Sequence, residues 1–455
     1  MPLDLDDCDL LAACTRDARR AWFSKARPPG NPATKIEALA WLDSAERRLP
    51  RAQTDAVVVP LRAWISKKPP GVFKRRPAAD KDAFDMFFDL LHAVHEPPPE
   101  LKDATAAFQE VVSDLYDGFL SAEDRRGVVA PVRVTLPPLV RWCNPEDTIY
   151  TWPSDFLAEL GVKGAVVCLP PAYASGGLAG WAALGHETCG HDILAAYKDL
   201  HPELRRVVSR SLESAGVGDR LIEHWMYGFE EAAADVLGVL NLGPSAALAD
   251  VAFYRGCMPA SDPRMAMNED PADEHPVDIL RVMLDASVVR TLRFAAADDW
   301  AAAIEREIRC DSQGEDPRIA GRAVPLLEAR TSAAVFARTM VGTRLDSLSG
   351  VSLGEIQNWH DRDQALADQL CEQLQERAKR QVRRRPRMYA AHVLAGALMA
   401  MFQNAAEPAR STLLVRVFGR TITTLAALHR SNPAWKPRSA HRHRGDAGRH
   451  VLRSR

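Results

Sequence analysis

Residues 180–197 read GWAALGHETCGHDILAAY. Most of the stretch is apolar, which predicts a buried helix, and His186, Glu187 and His191 are set into it. Two imidazoles and a carboxylate this close are what a hydrolytic zinc site needs. The nitrogens hold the ion, and an acid beside the first histidine can take a proton from water. The spacing carries one residue more than the usual His-Glu-x-x-His. At about 100° per residue, a five-residue step lands roughly 140° from its starting face, so a regular helix points the two rings apart. The sequence therefore predicts a local widening, most simply a single π turn, a distortion frequent at functional sites. Gly190, immediately before His191, eases that distortion and leaves room for an ion.

Forty residues further on, 227–238 read YGFEEAAADVLG within a predicted helix over 219–242. Glu231 on this helix would complete a His₂Glu set, similar to the third-ligand helix of thermolysin-like zinc enzymes, with one position left for water. Asp235 lies one helical turn on, suited to accept a hydrogen bond from the other nitrogen of a ligating histidine.

HETCGH (186–191) followed by EEAAAD (230–235) resembles the dipeptidyl-peptidase III family, whose paired signatures are His-Glu-x-x-Gly-His and Glu-Glu-x-x-Ala-Asp/Glu. The resemblance implies zinc bound by His186, His191 and Glu231, Glu187 as the catalytic general base, and Glu230 and Asp235 as supporting acids. ILRVMLDA (279–286) is similar to a family helix that follows a histidine stabilising the transition state. His275 is the nearest counterpart here. The likeness covers about residues 178–286; the chain is shorter than family members before the first motif, and has no match to their substrate-amine-binding region.

A zinc hydrolase also needs a donor facing the oxyanion. His275, Tyr227, Tyr173 and His224 are the candidates. Tyr227 precedes Glu231 by one helical turn, and His224 equally fits ordinary packing.

Around these motifs, residues 1–125 read as an N-terminal lobe of helices broken by prolines. Residues 126–430 read as the catalytic zinc domain: a small sheet within 128–169, from strands at 128–136, 148–152 and 165–169, then helices. The strand in AVVCLPPAY (165–173) fits either the rim of a cleft, pairing with an extended peptide, or an ordinary buried strand. The expected fold is mainly α with a small β-sheet (α+β). It has a gluzincin-like zinc site on two helices and two lobes around a cleft.

Composition narrows the function classes. The 455 residues hold 58 Lys plus Arg against 60 Asp plus Glu, so no global charge drives binding to nucleic acid or lipid. Basic clusters at 377–387 and 430–455 lack interleaved aromatics and any reader motif. That argues against nucleic acid and leaves 431–455 as an expected disordered tail. The acidic start MPLDLDDCDLLAAC does not read as a secretory signal, and the longest apolar run, 388–402, is shorter than the ~20 residues a membrane helix needs. Eight scattered cysteines without Cys-x-x-Cys indicate neither a disulfide framework nor a thiolate zinc knuckle.

The expectation is a soluble, cytoplasmic zinc metallopeptidase with one Zn²⁺ per chain and an oligopeptide substrate. Two alternatives stand beside it. One is a zinc hydrolase of a non-peptide amide or ester, and the other a non-catalytic scaffold with structural zinc and a tail that engages an acidic partner.

Overall fold

The computed structural model describes residues 10–73, 81–120, 136–197, 199–271, 273, 275–376, 388–402 and 410–436. The chain is mainly helical with a small sheet, as expected. The expected strand at 128–136, apart from its last residue, lies outside the described residues. So do the basic cluster at 377–387 and all but the first few residues of the tail.

The sheet divides two apolar cores. Its strands are β1 (Leu139–Trp142), β2 (Tyr150–Trp152) and β3 (Val166–Leu169), in the order β1-β3-β2. β1 runs parallel to the central β3, and β2 antiparallel to it. Successive side chains of a strand face opposite ways. Val166 and Cys168 therefore enter a smaller core built with helices Lys35–Arg48 and Lys81–Val94, while Val167 and Leu169 enter a larger one. A strand covered on both faces reads as an unbroken apolar run, which is the pattern of AVVCL.

The cores divide the chain differently from the bounds expected. Helices Ala12–Trp22 and Lys102–Leu120, assigned by sequence to the N-terminal lobe, pack into the larger core with the motif helix. The cleft-rim alternative for 165–173 is also corrected. Both edges of β3 are already paired, so no peptide can join it, and the edge strand on the side of the motif helix is β2.

The motif helix runs as α-helix over Leu178–Gly185, π-helix over His186–Asp192 and α-helix again over Ile193–Ala196. Asp17 caps its start, accepting the N–H of Gly177 at 2.8 Å and of Leu178 at 3.3 Å. Trp181 is fully buried, and its indole N–H donates to the Tyr173 carbonyl at 3.0 Å.

Helix Phe229–Leu242 crosses the motif helix with almost nothing between the backbones. A Cβ on Gly190 would stand 2.0 Å from Ala234 Cβ, and one on Gly238 would stand 3.1 Å from the Gly185 backbone. Only glycine allows this approach.

Two helical expectations change. The predicted helix over 219–242 is two helices, Asp219–Tyr227 and Phe229–Leu242, because Gly228 leaves helical geometry between them. Helix Pro244–Cys257 was not anticipated; Pro244 suits a first helical position, where its missing N–H costs nothing. Among the described residues no helix is long and apolar enough to cross a membrane.

Candidate metal centre

The π segment does what the spacing required. His186 and His191 lie on the same side, their ring centroids 5.2 Å apart and their planes at 77°. Both present Nε2 to the carboxylate of Glu231, at 3.0 Å for His186 (Oε2) and 3.7 Å for His191 (Oε1). The other ring nitrogens are engaged by acids. His186 Nδ1 donates to Asp235 Oδ1 at 2.7 Å, and His191 Nδ1 to Glu230 Oε1 at 3.0 Å. With each proton held on Nδ1, the lone pairs converge from Nε2.

These three side chains can hold a metal ion. One ligand atom from each lies within 4.8 Å of the others. Bonds of about 2.0–2.1 Å in a tetrahedron set ligand atoms about 3.4 Å apart, and the two distances to Glu231 bracket that value. Glu231 Oε2 is buried, and no N–H is aligned to donate to it, although His186 Nε2 and His275 Nε2 lie within 3.2 Å. A buried oxygen aimed at two nitrogens without a hydrogen bond suits a cation between them.

Electrostatics point the same way. Burial works to lower the pKa of His186, but its contacts with the Asp235 and Glu231 carboxylates overrule burial and hold it at about 10. His191 is raised too, burial again being outweighed, here mainly by Glu230. Burial works to raise Glu231; His186 and His275 reverse it and keep the carboxyl far below the usual range. The pocket is a well of negative charge that concentrates positive charge on its imidazoles.

Glu187 is buried beside His186. Its Oε2 accepts a hydrogen bond of 2.7 Å from Thr151 Oγ1 on β2, and its charge acts on His191. His275 also reaches the centre. Its Nε2 is 3.2 Å from Glu231 Oε2, its Nδ1 is 2.6 Å from Asp273, and its ring lies 6.5 Å from that of His186.

The remaining oxyanion candidates are not brought there. Tyr173 is fully buried against Gly177 and Gly180 under the start of the motif helix. Its ring is core packing. Tyr227 ends its own helix, 66% exposed, and the break at Gly228 removes the one-turn relation to Glu231 that placed it. His224 is a buried strut whose Nδ1 engages Glu269 at 2.8 Å and whose Nε2 accepts the Val277 N–H at 3.4 Å, tying down the segment that carries His275.

Sequence reasoning missed three residues here: Thr151, Asp273 and Arg281. Arg281 clamps Asp235 with two hydrogen bonds of 2.8 Å. It had left a signal, as a charge inside the apolar run ILRVMLDA demands a buried partner. Thr151 and Asp273 had none, being single polar residues in a strand and a loop.

No protein-family model, curated protein or solved structure matches this chain.

Proposed function

We propose that this protein is a zinc-dependent metallopeptidase, similar in its centre to the dipeptidyl-peptidase III family, that hydrolyses oligopeptides. One observation carries the reading. Two histidines, each held through Nδ1 by a carboxylate, aim Nε2 at the same buried glutamate, with a second glutamate beside them. That is the donor set of a catalytic zinc site, three protein ligands and an open position.

His186, His191 and Glu231 would hold the ion. Bound there, zinc supplies Lewis acidity, bringing the pKa of water toward about 7 and polarising a carbonyl. Glu187 takes the proton of the attacking water and returns it to the departing amine. Thr151 holds one Glu187 oxygen and so fixes which oxygen faces the substrate. His275, turned inward by Asp273, donates to the oxyanion as charge develops on it.

Substrate lies extended along the outer edge of β2, in a cleft between the two cores. The Thr151 side chain faces Glu187, while Tyr150 and Trp152 face a polar cavity of about 420 Å³ that also borders Asp89 and Arg141. An added strand would place alternate side chains toward the centre and toward the cavity.

The test is a mixed peptide library incubated with the zinc-loaded protein, with cut sites read by mass spectrometry. Wild type should cut, while Glu187→Gln should keep its zinc and lose several orders of magnitude in rate. Activity surviving in that variant rejects the assignment. Hydrolysis confined to amide or ester probes that are not peptides transfers the same chemistry to another substrate class.

A further inference from the structure

Arg281 lies on helix Asp278–Val289, which is otherwise mostly apolar where it is buried. It is 7% exposed, and withdrawing a guanidinium from water is costly unless it is fully paired. Its Nε donates to Asp235 Oδ2 and its Nη2 to Asp235 Oδ1, both at 2.8 Å, and the guanidinium stacks 5.0 Å from the Tyr254 ring centroid. Oδ1 is the oxygen that also takes the Nδ1 proton of His186. Arginine, carboxylate and imidazole thus form one chain ending at the metal position.

The carboxylate needs that partner. Asp235 is buried, and its charge acts on the neighbouring acids Asp250 and Asp285. Neither Asp285 oxygen has a hydrogen-bond partner among the described residues. Two N–H groups on one carboxylate fix its plane, and with it the oxygen that accepts the Nδ1 proton of His186. The other arm of the site differs: Glu230, which holds His191, is half exposed and pairs with no arginine among the described residues.

We infer that Arg281 is the positioning residue that keeps His186 in its metal-binding orientation, acting through Asp235. The inference rests on the metal-centre reading above and adds to it the group that decides how tightly the ion is held. Outer partners of this kind change metal affinity by about 10–100-fold, and here the effect concentrates on the buried arm.

Co²⁺ titration of the full chain, followed by its visible d–d bands and by competition with a chelator, tests this without relying on activity. Arg281→Met should weaken Co²⁺ binding by about 10–100-fold and alter the bands, and Glu230→Gln should cost less. In an Asp235→Asn background the same arginine substitution should add nothing further. A merely structural arginine would lower thermal stability yet leave affinity and bands unchanged. That result overturns the inference, as do losses from Arg281→Met and Asp235→Asn that multiply. If Arg281→Met does not fold, Arg281→Lys keeps the charge but not the two-pronged contact, and should fall between the two; wild-type affinity there is equally fatal. A wild-type chain that takes up no Co²⁺ sinks the metal centre itself, and is seen before any variant is made.

Discussion

The close approach of the two site helices makes Gly190→Ala the most informative single substitution. The added Cβ would stand 2.0 Å from the Cβ of Ala234 and 2.5 Å from its Cα. Carbon atoms settle at about 3.5–4.0 Å, so the motif helix must retreat by on the order of 1–2 Å. Overpacking of this kind costs about 1–3 kcal/mol in stability, which a chain with so large a core should survive. The centre is less tolerant. Both histidines ride on one helix and Glu231 on the other, so the contacts of 3.0 and 3.7 Å open by a similar amount. They then exceed the span of about 3.4 Å that a tetrahedral ion bridges. We expect metal affinity to fall by about 100-fold or more, beyond what loss of a ligand's outer partner costs, with the fold retained by circular dichroism. Adding Ala234→Gly should not rescue it, because the Ala234 Cα remains too close to the new methyl group. Metal content after dialysis against buffered zinc reads the outcome. A folded Gly190→Ala protein holding one ion with wild-type affinity would refute the claim that this contact sets the site.

Three other outcomes follow from particular contacts. Because His186 is held at about 10, it carries a proton at neutral pH that metal must displace. Affinity should therefore rise by at least about tenfold per pH unit between 6 and 8, more where His191 is protonated too, and a flat profile in competition titrations would contradict the proton balance. Thr151→Val removes the hydroxyl that donates to Glu187. A hydrogen bond to a charged group is worth about 1.5–3 kcal/mol, so peptide turnover should fall roughly 10–100-fold at unchanged zinc content; a wild-type rate removes Thr151 from the mechanism. Asp89→Ala leaves Arg141 buried without its counter-charge and should cost about 3–5 kcal/mol in urea unfolding, with metal binding intact, whereas a loss below about 1 kcal/mol would show Arg141 to be solvated.

What was legible in the sequence was whatever repeats along one element. The helices follow from apolar spacing, and the central strand from a run buried on both faces. The widened turn followed from geometry: five residues between histidines cannot share a face without it, and the π-helix spans His186–Asp192. The histidine pair, Glu231 and Asp235 lie within two short motifs, so helical spacing reached them, while Glu230 came from the family resemblance. Relations between distant segments left no such trace. Thr151 meets Glu187 from 36 residues away, and Arg281 meets Asp235 from 46. The break at Gly228 was readable in principle, but the apolar spacing on either side bridges it, and Tyr227 was misplaced as a result. Packing across the expected lobe boundary was hidden for a related reason. Helix Ala12–Trp22 packs against Pro244–Cys257, a contact that no local pattern encodes.

The extra residue between the histidines and the glycine before the second one answer a single requirement. A π turn holds its shape only if relaxing to α costs more than it returns, and here each face of the segment is tied to a different part of the chain. Glu187 is bound to Thr151, and Asp192 accepts the Ser154 N–H at 3.1 Å, so β2 and the turn after it grip both ends of the segment. Gly190 is wedged on Ala234, which forbids rotation about the helix axis on the opposite side. Relaxation to a regular helix would swing His191 by about 100°, away from both Glu230 and Glu231, and would break the contacts of Asp192 together with it. The distortion is thus maintained by the same residues that place Glu187 and Glu231. Loss of the wedge at Gly190, which the hydrogen bonds alone do not replace, should therefore disturb the whole centre.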